Sequence, residues 1–388
     1  MKVKTLLFLS TLVLSTAAYS HDFQSRHDFN KRYARDLKTK INNFKARPEL
    51  IQKFRNFFKP KKLTTVACGD VITESITIAN NLNCPEISGY ALQVVGDNIS
   101  VNANGKKISA PNAAAGLFVQ GDNNTITNFD IQGVTEGHGM MAYNSSNLKV
   151  VSNNFSKNRI GIMIYADEVV KNPIVMANRA SHNSFAGVEM FYDEPGSIQN
   201  PIITLNDFKS SGEFAVYLKA DKVNLQYTVN DLSGSSSGFY LTGGDFKVED
   251  LSLTNQLIHK RHFMVDSVSS IIFKDMNLTS IAPMTANQDR IAIDMYRVEK
   301  FTLDNVSLKN HDVGLKVATD GDVATQGLVK DSLFSGQSFA GLYMVSWDST
   351  ELGTIKVLDS EFKSSAYGIV VAEGTVVDLL QLKTPTRR

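Results

Sequence analysis

The sequence of 388 residues has little of several residue types that mark common protein classes. It contains two cysteines, nine prolines and one tryptophan. Two cysteines exclude a fold held together by many disulfides, and the 43% hydrophobic content excludes a chain that is disordered throughout. Beyond residue 20, no apolar run is long enough to cross a bilayer as a helix. The composition therefore predicts a single elongated hydrophobic core and no transmembrane segment.

Residues 1–20 have the pattern of a secretory signal. Lys2 and Lys4 precede an apolar run from Leu6 to Leu14, and residues 18–20 (Ala-Tyr-Ser) form a small-x-small cleavage site. There is no cysteine at that site, which argues against a lipid anchor. The pattern predicts a secreted or periplasmic protein that is cleaved near Ser20.

The two cysteines, Cys68 and Cys84, lie close together in the predicted mature region. In an oxidising compartment such a pair favours one disulfide that closes a small loop. The alternative, a metal or redox pair, lacks a nearby histidine or a third cysteine.

Residues 21–62 differ in composition from the rest of the chain. They hold thirteen Lys or Arg against four Asp or Glu, a formal charge of +9, which leaves −10 for residues 63–388. Apolar residues from Phe29 to Phe44 recur at helical spacing, Pro48 would break the helix, and Pro60 would end a second one. We expect a basic helical arm or cap, either solvated or paired with the acidic body. Attachment to an anionic surface or polysaccharide is the alternative, whereas nucleic acid fits poorly with an export signal.

Short strands repeat along residues 63–388, and most of them open with a glycine. The single steps between these glycines are 22 to 27 residues, and equivalent strands fill the longer gaps. The glycines are Gly116, Gly139, Gly161, Gly187, Gly238, Gly314, Gly341 and Gly368. Repeated strands with no helical periods between them predict a solenoid of parallel β coils, about 11–12 in number.

Asparagine and aspartate cluster where these strands end, as at Asn153, Asn178, Asn206 and Asn230. Asparagine tolerates the left-handed backbone of a sharp corner, and stacked asparagines form ladders. We therefore interpret these residues as architecture rather than as ligands.

The opening residues 67–73 (Ala-Cys-Gly-Asp-Val-Ile-Thr), with residues 96–99, 102–108 and 121–126, resemble the first coils of secreted right-handed parallel β-helix proteins. These belong to the pectate-lyase-like superfamily, and the resemblance covers residues 65–377. It implies a right-handed solenoid without specifying an activity, because the superfamily contains lyases, hydrolases, epimerases, tailspikes and non-catalytic surface proteins. Neither the Asp-Pro-His-Asp signature of mannuronan epimerases nor the full polygalacturonase pattern is present.

The strands can be aligned by calling each opening glycine position zero. Positions +1 and +3 are apolar and should face the core, so positions +2 and +4 should face outward. The outward positions are rich in aromatic residues, which predicts either a covered face or a sugar-binding face on which rings stack against sugars. Its predicted subsite residues are Glu189, Tyr165, Tyr217, Lys219, Tyr240 and Lys316.

Four ionisable residues stand out in two consecutive coils of this alignment. His262 and Arg290 occupy position zero, where other coils have glycine or alanine, and Asp266 and Asp294 occupy position +4. Neighbouring strands lie about 4.8 Å apart, so the two carboxylates should be side by side. The quartet is a candidate catalytic centre, and a surface salt-bridge cluster is the alternative.

The chemistry that this quartet would support depends on its geometry. Close carboxylates suit retaining glycoside hydrolysis, and a wider pair suits inversion. Alternatively, Asp266 and Asp294 with Glu189 would hold a Ca²⁺ against a uronate, and His262, Lys219 or Arg290 would act as the base of a lyase. The sequence assigns no metal ligand outside this alternative, in which Ca²⁺ is the cofactor.

The remaining singular residues receive structural interpretations. His138, His182 and His311 fall near turns and are interpreted as solvated, and Trp347 is interpreted as a loop anchor or a sugar platform. The sequence thus predicts a monomeric exported β-helix that binds an anionic polysaccharide, and favours only slightly a lyase or hydrolase over a non-catalytic surface or adhesin-type protein. Its predicted regions are 1–20 (signal), 21–62 (basic arm) and 63–388 (β-helix).

Overall fold

The computed structural model describes residues 63–226, 230–253, 257–281, 290–347, 351–373 and 375–380. The predicted signal and basic arm lie outside these residues, so both remain predictions. The described residues contain strands and no helix.

The first turns are built from short strands that pair in parallel. These are β1 (Leu63–Thr64), β2 (Val71–Ile72), β3 (Ile76–Ile78), β4 (Leu82–Asn83), β5 (Tyr90–Val95), β6 (Ser100–Asn102), β7 (Lys107–Ser109), β8 (Ala115–Gln120), β9 (Thr125–Thr127), β10 (Asp130–Ile131), β11 (His138–Tyr143) and β12 (Lys149–Val151). Three strands per turn give the coil three sides.

In the middle turns, neighbouring strands merge into longer ones. The strands are β13 (Ile160–Ala166), β14 (Val169–Lys171), β15 (Ile174–Met176), β16 (Ala186–Tyr192), β17 (Ser197–Gln199), β18 (Ile202–Thr204), β19 (Phe214–Gln226), β20 (Ser237–Glu249), β21 (Ser252–Leu253), β22 (Arg261–Thr279) and β23 (Ile291–Lys309). β22 and β23 are 19 residues long.

The last turns return to shorter strands. They are β24 (Val313–Thr319), β25 (Thr325–Lys330), β26 (Leu333–Ser335), β27 (Ala340–Ser346), β28 (Glu351–Leu358), β29 (Glu361–Lys363), β30 (Tyr367–Val371) and β31 (Val376–Leu380).

Equivalent strands of successive turns are hydrogen-bonded in parallel, which confirms the predicted solenoid. Sheet 1 runs from β2 through β5, β8, β11, β13 and β16 into the first halves of β19, β20, β22 and β23, and then through β24, β27 and β30. Sheet 2 begins with β1, β3, β6, β9, β12, β15 and β18, and sheet 3 with β4, β7 and β10. The predicted disulfide between Cys68 and Cys84 is present in the first turn.

The core is a continuous column of the predicted inward residues. Leu117 and Val119, Met140 and Ala142, and their counterparts in later turns are fully buried. Burial of such side chains contributes about 25 cal/mol per Å² of apolar surface, and here it is spread along the whole solenoid.

Position zero also faces inward, which the alternation of side chains did not predict. In every turn this residue is skipped by the pairing register, so the strand bends there. A Cβ added to Gly161 would lie 2.7 Å from Ala180 Cβ, and one added to Gly187 would lie 2.6 Å from Phe208. Small residues occur at position zero because a larger side chain would strike the core.

His262 is therefore buried and does not belong to an outward patch. It is 2% exposed, and its Nδ1 lies 2.9 Å from Nε2 of His311, which is 1% exposed. Burial lowers the pKa of His262 to about 4, and burial also lowers the pKa of His311. The solvated position predicted for His311 is wrong, because the turn that carries it folds into the core.

Arg290 does not lie at position zero, because the strand pairing places Ala292 opposite His262. Arg290 is 3% exposed and makes a two-pronged contact with Asp312, with Nη2–Oδ1 at 2.9 Å and Nε–Oδ2 at 3.2 Å. Ser338 donates a further hydrogen bond to Asp312. The predicted salt bridges from His262 and Arg290 to Asp266 and Asp294 are wrong, since both basic residues have inward partners.

The predicted asparagine ladder is confirmed. The backbone N–H of Asn153 donates to Oδ1 of Asn178 at 3.0 Å, that of Asn178 to Asn206 at 2.9 Å, and that of Asn206 to Asn230 at 3.0 Å. All four side chains are buried. Each side-chain amide thus satisfies backbone groups of the preceding turn that no strand pairing reaches.

Replacing one rung should destabilise the solenoid. Asn178→Ala removes a buried acceptor together with the hydrogen bond from Nδ2 to the Val150 carbonyl, and we expect the free energy of unfolding to fall by about 2 kcal/mol in a denaturant titration. Exposed Asn224 lies within β19, and Asn224→Ala should change it by less than about 0.5 kcal/mol. Equal effects of the two substitutions would contradict the structural role of the ladder.

The buried histidine pair should make the fold acid-sensitive. The pKa of His262 is about 4 in the folded chain against the ordinary histidine value of about 6.5, so the unfolded chain binds more protons between these values. Above pH 6.5 this histidine is neutral in both states and does not reduce stability. As the pH falls towards 4, the free energy of unfolding decreases by roughly 3 kcal/mol. Unfolding measured across this range should show a smaller pH dependence for His262→Gln than for the wild type.

Exposed His182 provides the control for this experiment. His182→Gln should retain the wild-type pH dependence. An unchanged slope in His262→Gln would show that this histidine is not the group that titrates.

Candidate functional site

The candidate site is the outer face of sheet 1, defined here as the side chains at positions +2 and +4. Its register corrects the predicted aspartate pair. Asp294 is opposite Met264 at position +2, whereas Asp266 is opposite Tyr296 at position +4. With strands about 4.8 Å apart and a two-residue offset along the strand, their Cα atoms are about 8 Å apart rather than side by side.

Asp294 lies within an ion-pair network. It is 7% exposed, and its Oδ2 accepts a hydrogen bond from Nε of Arg261 at 2.5 Å, while Oδ1 lies 3.5 Å from Nζ of Lys316. These neighbours hold the carboxylate in place and neutralise it. Asp294 is thus a structural partner of Lys316, one of the predicted subsite residues.

Asp266 is more accessible and has different partners. The phenol of Tyr240 donates to its Oδ2 at 2.9 Å, and the hydroxyl of Ser267 donates to its Oδ1 at 2.9 Å. Burial and this carboxylate together raise the pKa of Tyr240. Of the four predicted catalytic residues, Asp266 alone combines a place on the outer face with partial exposure.

The predicted Ca²⁺ site is not assembled. Glu189 lies on β16, three turns before the strand of Asp266 and four before that of Asp294. At about 4.8 Å per turn these carboxylates are about 14 and 19 Å apart along the axis, too far for one cation. Among the described residues no group of three His, Cys, Asp or Glu side chains is placed to hold a metal ion.

The aromatic residues of the outer face pack mainly on one another. Tyr165 lies between Tyr143 and Phe191, with ring centres 5.8 and 6.0 Å apart and planes within 20°. Nζ of Lys219 is 4.9 Å from the centre of the Phe191 ring. The free ring faces expected from the sequence are therefore largely covered, and the rings present their edges and phenol oxygens to solvent.

A second group of rings continues this row. Tyr217 stacks on Tyr240 with centres 4.7 Å apart, and Phe214 lies 5.2 Å from Tyr240. The structure thus brings together the predicted subsite residues Tyr217 and Tyr240 and joins them to Asp266.

A set of carboxylates that the sequence analysis did not identify borders these rings. At position +6 of the next turn, an aspartate accepts a hydrogen bond from the tyrosine at position +4. The pairs are Tyr143–Asp167, Tyr165–Asp193 and Tyr296–Asp320. The bond to Asp193 raises the pKa of Tyr165 to about 12. Extending the alignment to position +6 would have revealed these residues.

Glu189 lies half-buried in the row, next to Tyr217 in the register. Burial raises its pKa, and the positive charge of Arg159 opposes that shift. No hydrogen bond or ion pair joins it to another of the described residues. A raised pKa favours the protonated form of this carboxyl group more than in an exposed glutamate.

His138 begins β11 close to the same region. Burial lowers its pKa to about 4, with a further contribution from Arg159. His138 is half-buried and so less solvated than predicted, whereas His182 is exposed as predicted. Between Leu63 and Leu380, apart from the gaps given above, there is no helix long and apolar enough to cross a membrane.

Comparisons with known proteins agree with this architecture. Residues 67–256 match the family model described as a right handed beta helix region. No curated protein matches the chain.

Solved structures resemble the chain only distantly. The catalytic domain of a GH87 alpha-1,3-glucanase in complex with tetrasaccharides is 15% identical, with 83% of this chain and 68% of that one covered and a TM-score of 0.48. The A-module of the Azotobacter vinelandii mannuronan C-5 epimerase AlgE4 is 11% identical, with 79% and 84% covered and a TM-score of 0.44.

A tailspike protein of E. coli bacteriophage HK620 in complex with a hexasaccharide is 9% identical, with 78% and 73% covered and a TM-score of 0.31. Similarities at this level leave the reaction undefined. The family match, together with the parallel pairing of successive turns, identifies the chain as a member of the right-handed parallel β-helix proteins.

Proposed function

We propose that this chain is exported and binds a polysaccharide along the outer face of sheet 1. The observation that carries the proposal is the row of aromatic rings along this face, bordered in three turns by aspartates that accept hydrogen bonds from Tyr143, Tyr165 and Tyr296. A row of aromatic and hydrogen-bonding groups that extends over several turns suits a ligand that is itself a chain of repeated units. Phenol and carboxylate oxygens along its edge are suitable partners for sugar hydroxyl groups.

Export is supported by the signal-like pattern of residues 1–20 and by the Cys68–Cys84 disulfide, since disulfides persist in oxidising compartments. Both features fit a ligand found outside the cytoplasm.

Two cations of this region support the acidic glycan that the sequence favoured. The guanidinium carbon of Arg159 lies 5.3 Å from the centre of the Phe185 ring, and Nζ of Lys219 lies 4.5 Å from that of the Tyr192 ring. Neither makes an ion pair with a carboxylate of the described residues. Each is thus available for a uronate carboxylate beside an aromatic ring.

Cleavage of the bound chain is a second candidate function, and the environment of Glu189 favours it. Its carboxyl would give a proton to the glycosidic oxygen as the bond to the sugar carbon breaks. Water then adds to that carbon, and the proton it releases restores the carboxyl. A non-catalytic surface protein would bind through the same face without this step.

Removing two rings of the row should weaken binding. With the protein purified from expression of the full chain, Tyr143→Ala combined with Tyr165→Ala should lower affinity by about tenfold or more, because apolar contact and two phenol groups are lost. Affinity electrophoresis on laminarin, dextran, alginate and polygalacturonate, followed by calorimetry, measures this loss.

Ile202 and Leu205, which are 48% and 43% exposed in and beside β18, provide a matched control. Replacing both with alanine should leave affinity within about twofold. Failure of the wild type to bind any polysaccharide of the panel would contradict the proposed function.

The same polysaccharides test cleavage through new reducing ends. If the chain cleaves its ligand, Glu189→Gln should reduce the rate by at least about 100-fold because the proton donor is lost, while binding is retained. Glu189→Asp should keep part of the rate. Reducing ends produced equally by Glu189→Gln and the wild type would exclude Glu189 as the acid, and binding without any product would leave recognition as the function.

A further inference from the structure

Trp347, at position +6 after β27, differs from the other aromatic residues of this region. It is 56% exposed, whereas the rings at positions +2 and +4 are covered in large part by their neighbours. Its backbone N–H donates to the Thr319 carbonyl at 3.1 Å, and its ring is tilted by 45° against that of Tyr296, with centres 5.0 Å apart. With more than half of its surface exposed, this indole is accessible to a ligand, which favours the sugar-platform interpretation over the loop anchor.

Polar groups surround this indole on strands of three successive turns. Nζ of Lys316 is 5.8 Å from the centre of the Trp347 ring. The phenol of Tyr296 and Nε of Arg297 both donate to Oδ2 of Asp320, at 2.7 and 2.8 Å. These bonds hold the pKa of Asp320 well below its usual value, so the carboxylate is charged at neutral pH. Its other oxygen, Oδ1, is buried and has no hydrogen-bond partner among the described residues, so the accessible polar groups beside the indole are the Tyr296 phenol and the Lys316 ammonium.

We infer that Trp347, Tyr296, Lys316 and Asp320 form a subsite for one uncharged pyranose unit of the polysaccharide. The apolar face of a sugar ring packs on the indole, and hydroxyl groups at its rim meet the Lys316 ammonium and the Tyr296 phenol, which Asp320 holds in place. The inference rests on the proposed function, and it assigns these residues to the binding of one sugar unit of the polysaccharide.

The charge balance of the subsite favours an uncharged sugar. Lys316 and Arg261 are both paired with Asp294. Arg297 is paired with Asp320 and also lies in the field of Asp322, so the three cations are offset by three carboxylates. A uronate placed on the indole would gain no unpaired cation and would lie near these aspartates. A neutral unit has hydroxyl groups that suit donors and acceptors alike.

The chain offers a direct spectroscopic test, because Trp347 is its only tryptophan. Neutral hexasaccharides of glucose in α-1,4, β-1,3 and β-1,4 linkage, and hexamers of galacturonate and mannuronate, are titrated into the full-chain protein. Binding is followed by calorimetry and by tryptophan emission. We expect a neutral hexasaccharide to change the emission and to bind with an affinity that added salt hardly alters.

Variants separate the subsite from the rest of the face. Trp347→Ala should lower affinity about tenfold, Trp347→Phe should restore most of it, and Asp320→Asn should lower it several-fold. Tyr367 is 58% exposed at the start of β30 and contacts Phe339 instead, so Tyr367→Ala serves as the matched control and should have less than a twofold effect. Because Trp347 is exposed, its substitution should leave the melting temperature nearly unchanged.

The outcomes are distinguishable. Calorimetric binding with no change in emission, and with Trp347→Ala within twofold of wild type, would overturn the subsite while leaving polysaccharide binding intact. An emission change caused only by the acidic hexamers and removed by salt would overturn the assignment to an uncharged sugar. If neither the hexasaccharides nor the polymers bind, the proposed function fails and the subsite fails with it.

Discussion

Backbone hydrogen bonding between equivalent strands of successive turns is the interaction on which the rest of this structure depends. It fixes the spacing of neighbouring strands at about 4.8 Å and keeps equivalent residues in columns. One column becomes the buried apolar core, another the asparagine ladder from Asn153 to Asn230, and others the rows of the outer face. Each residue therefore makes most of its side-chain contacts with residues one turn before and one turn after it.

The same constraint explains why polar residues occur inside the solenoid. Position zero lies at a bend that points into the core, and His262 fills it in one turn while Ala292 fills it in the next. His262 is accommodated by His311, and Arg290 by Asp312, so a region that looks like an exposed ionic cluster in the sequence is an internal one. Burial of groups that titrate joins the stability of this segment to pH.

The outer face shows what stacking does to aromatic residues. At the spacing of successive strands, rings such as Tyr143 and Tyr165 cover one another and direct their phenols towards carboxylates of the next turn. Trp347 lies beyond the end of its strand and keeps much of its surface exposed. The face therefore combines an edge rich in hydrogen-bonding groups with a separate exposed ring near its C-terminal end.

The sequence by itself determined the repeat, the inward columns, the disulfide and the role of the asparagines, because each depends on local spacing or on a residue's intrinsic preferences. Tertiary structure decided the candidate site. The sequence alignment placed Arg290 at position zero and Asp294 at position +4. The pairing of β22 with β23 places Ala292 at position zero instead, so Asp294 lies at position +2 and Asp266 is opposite Tyr296. Likewise, alternation alone could not reveal the bend that buries His262. The direction of a side chain at a bend and the contacts between turns depend on hydrogen bonds between residues about 25 positions apart. No local sequence pattern encodes these bonds.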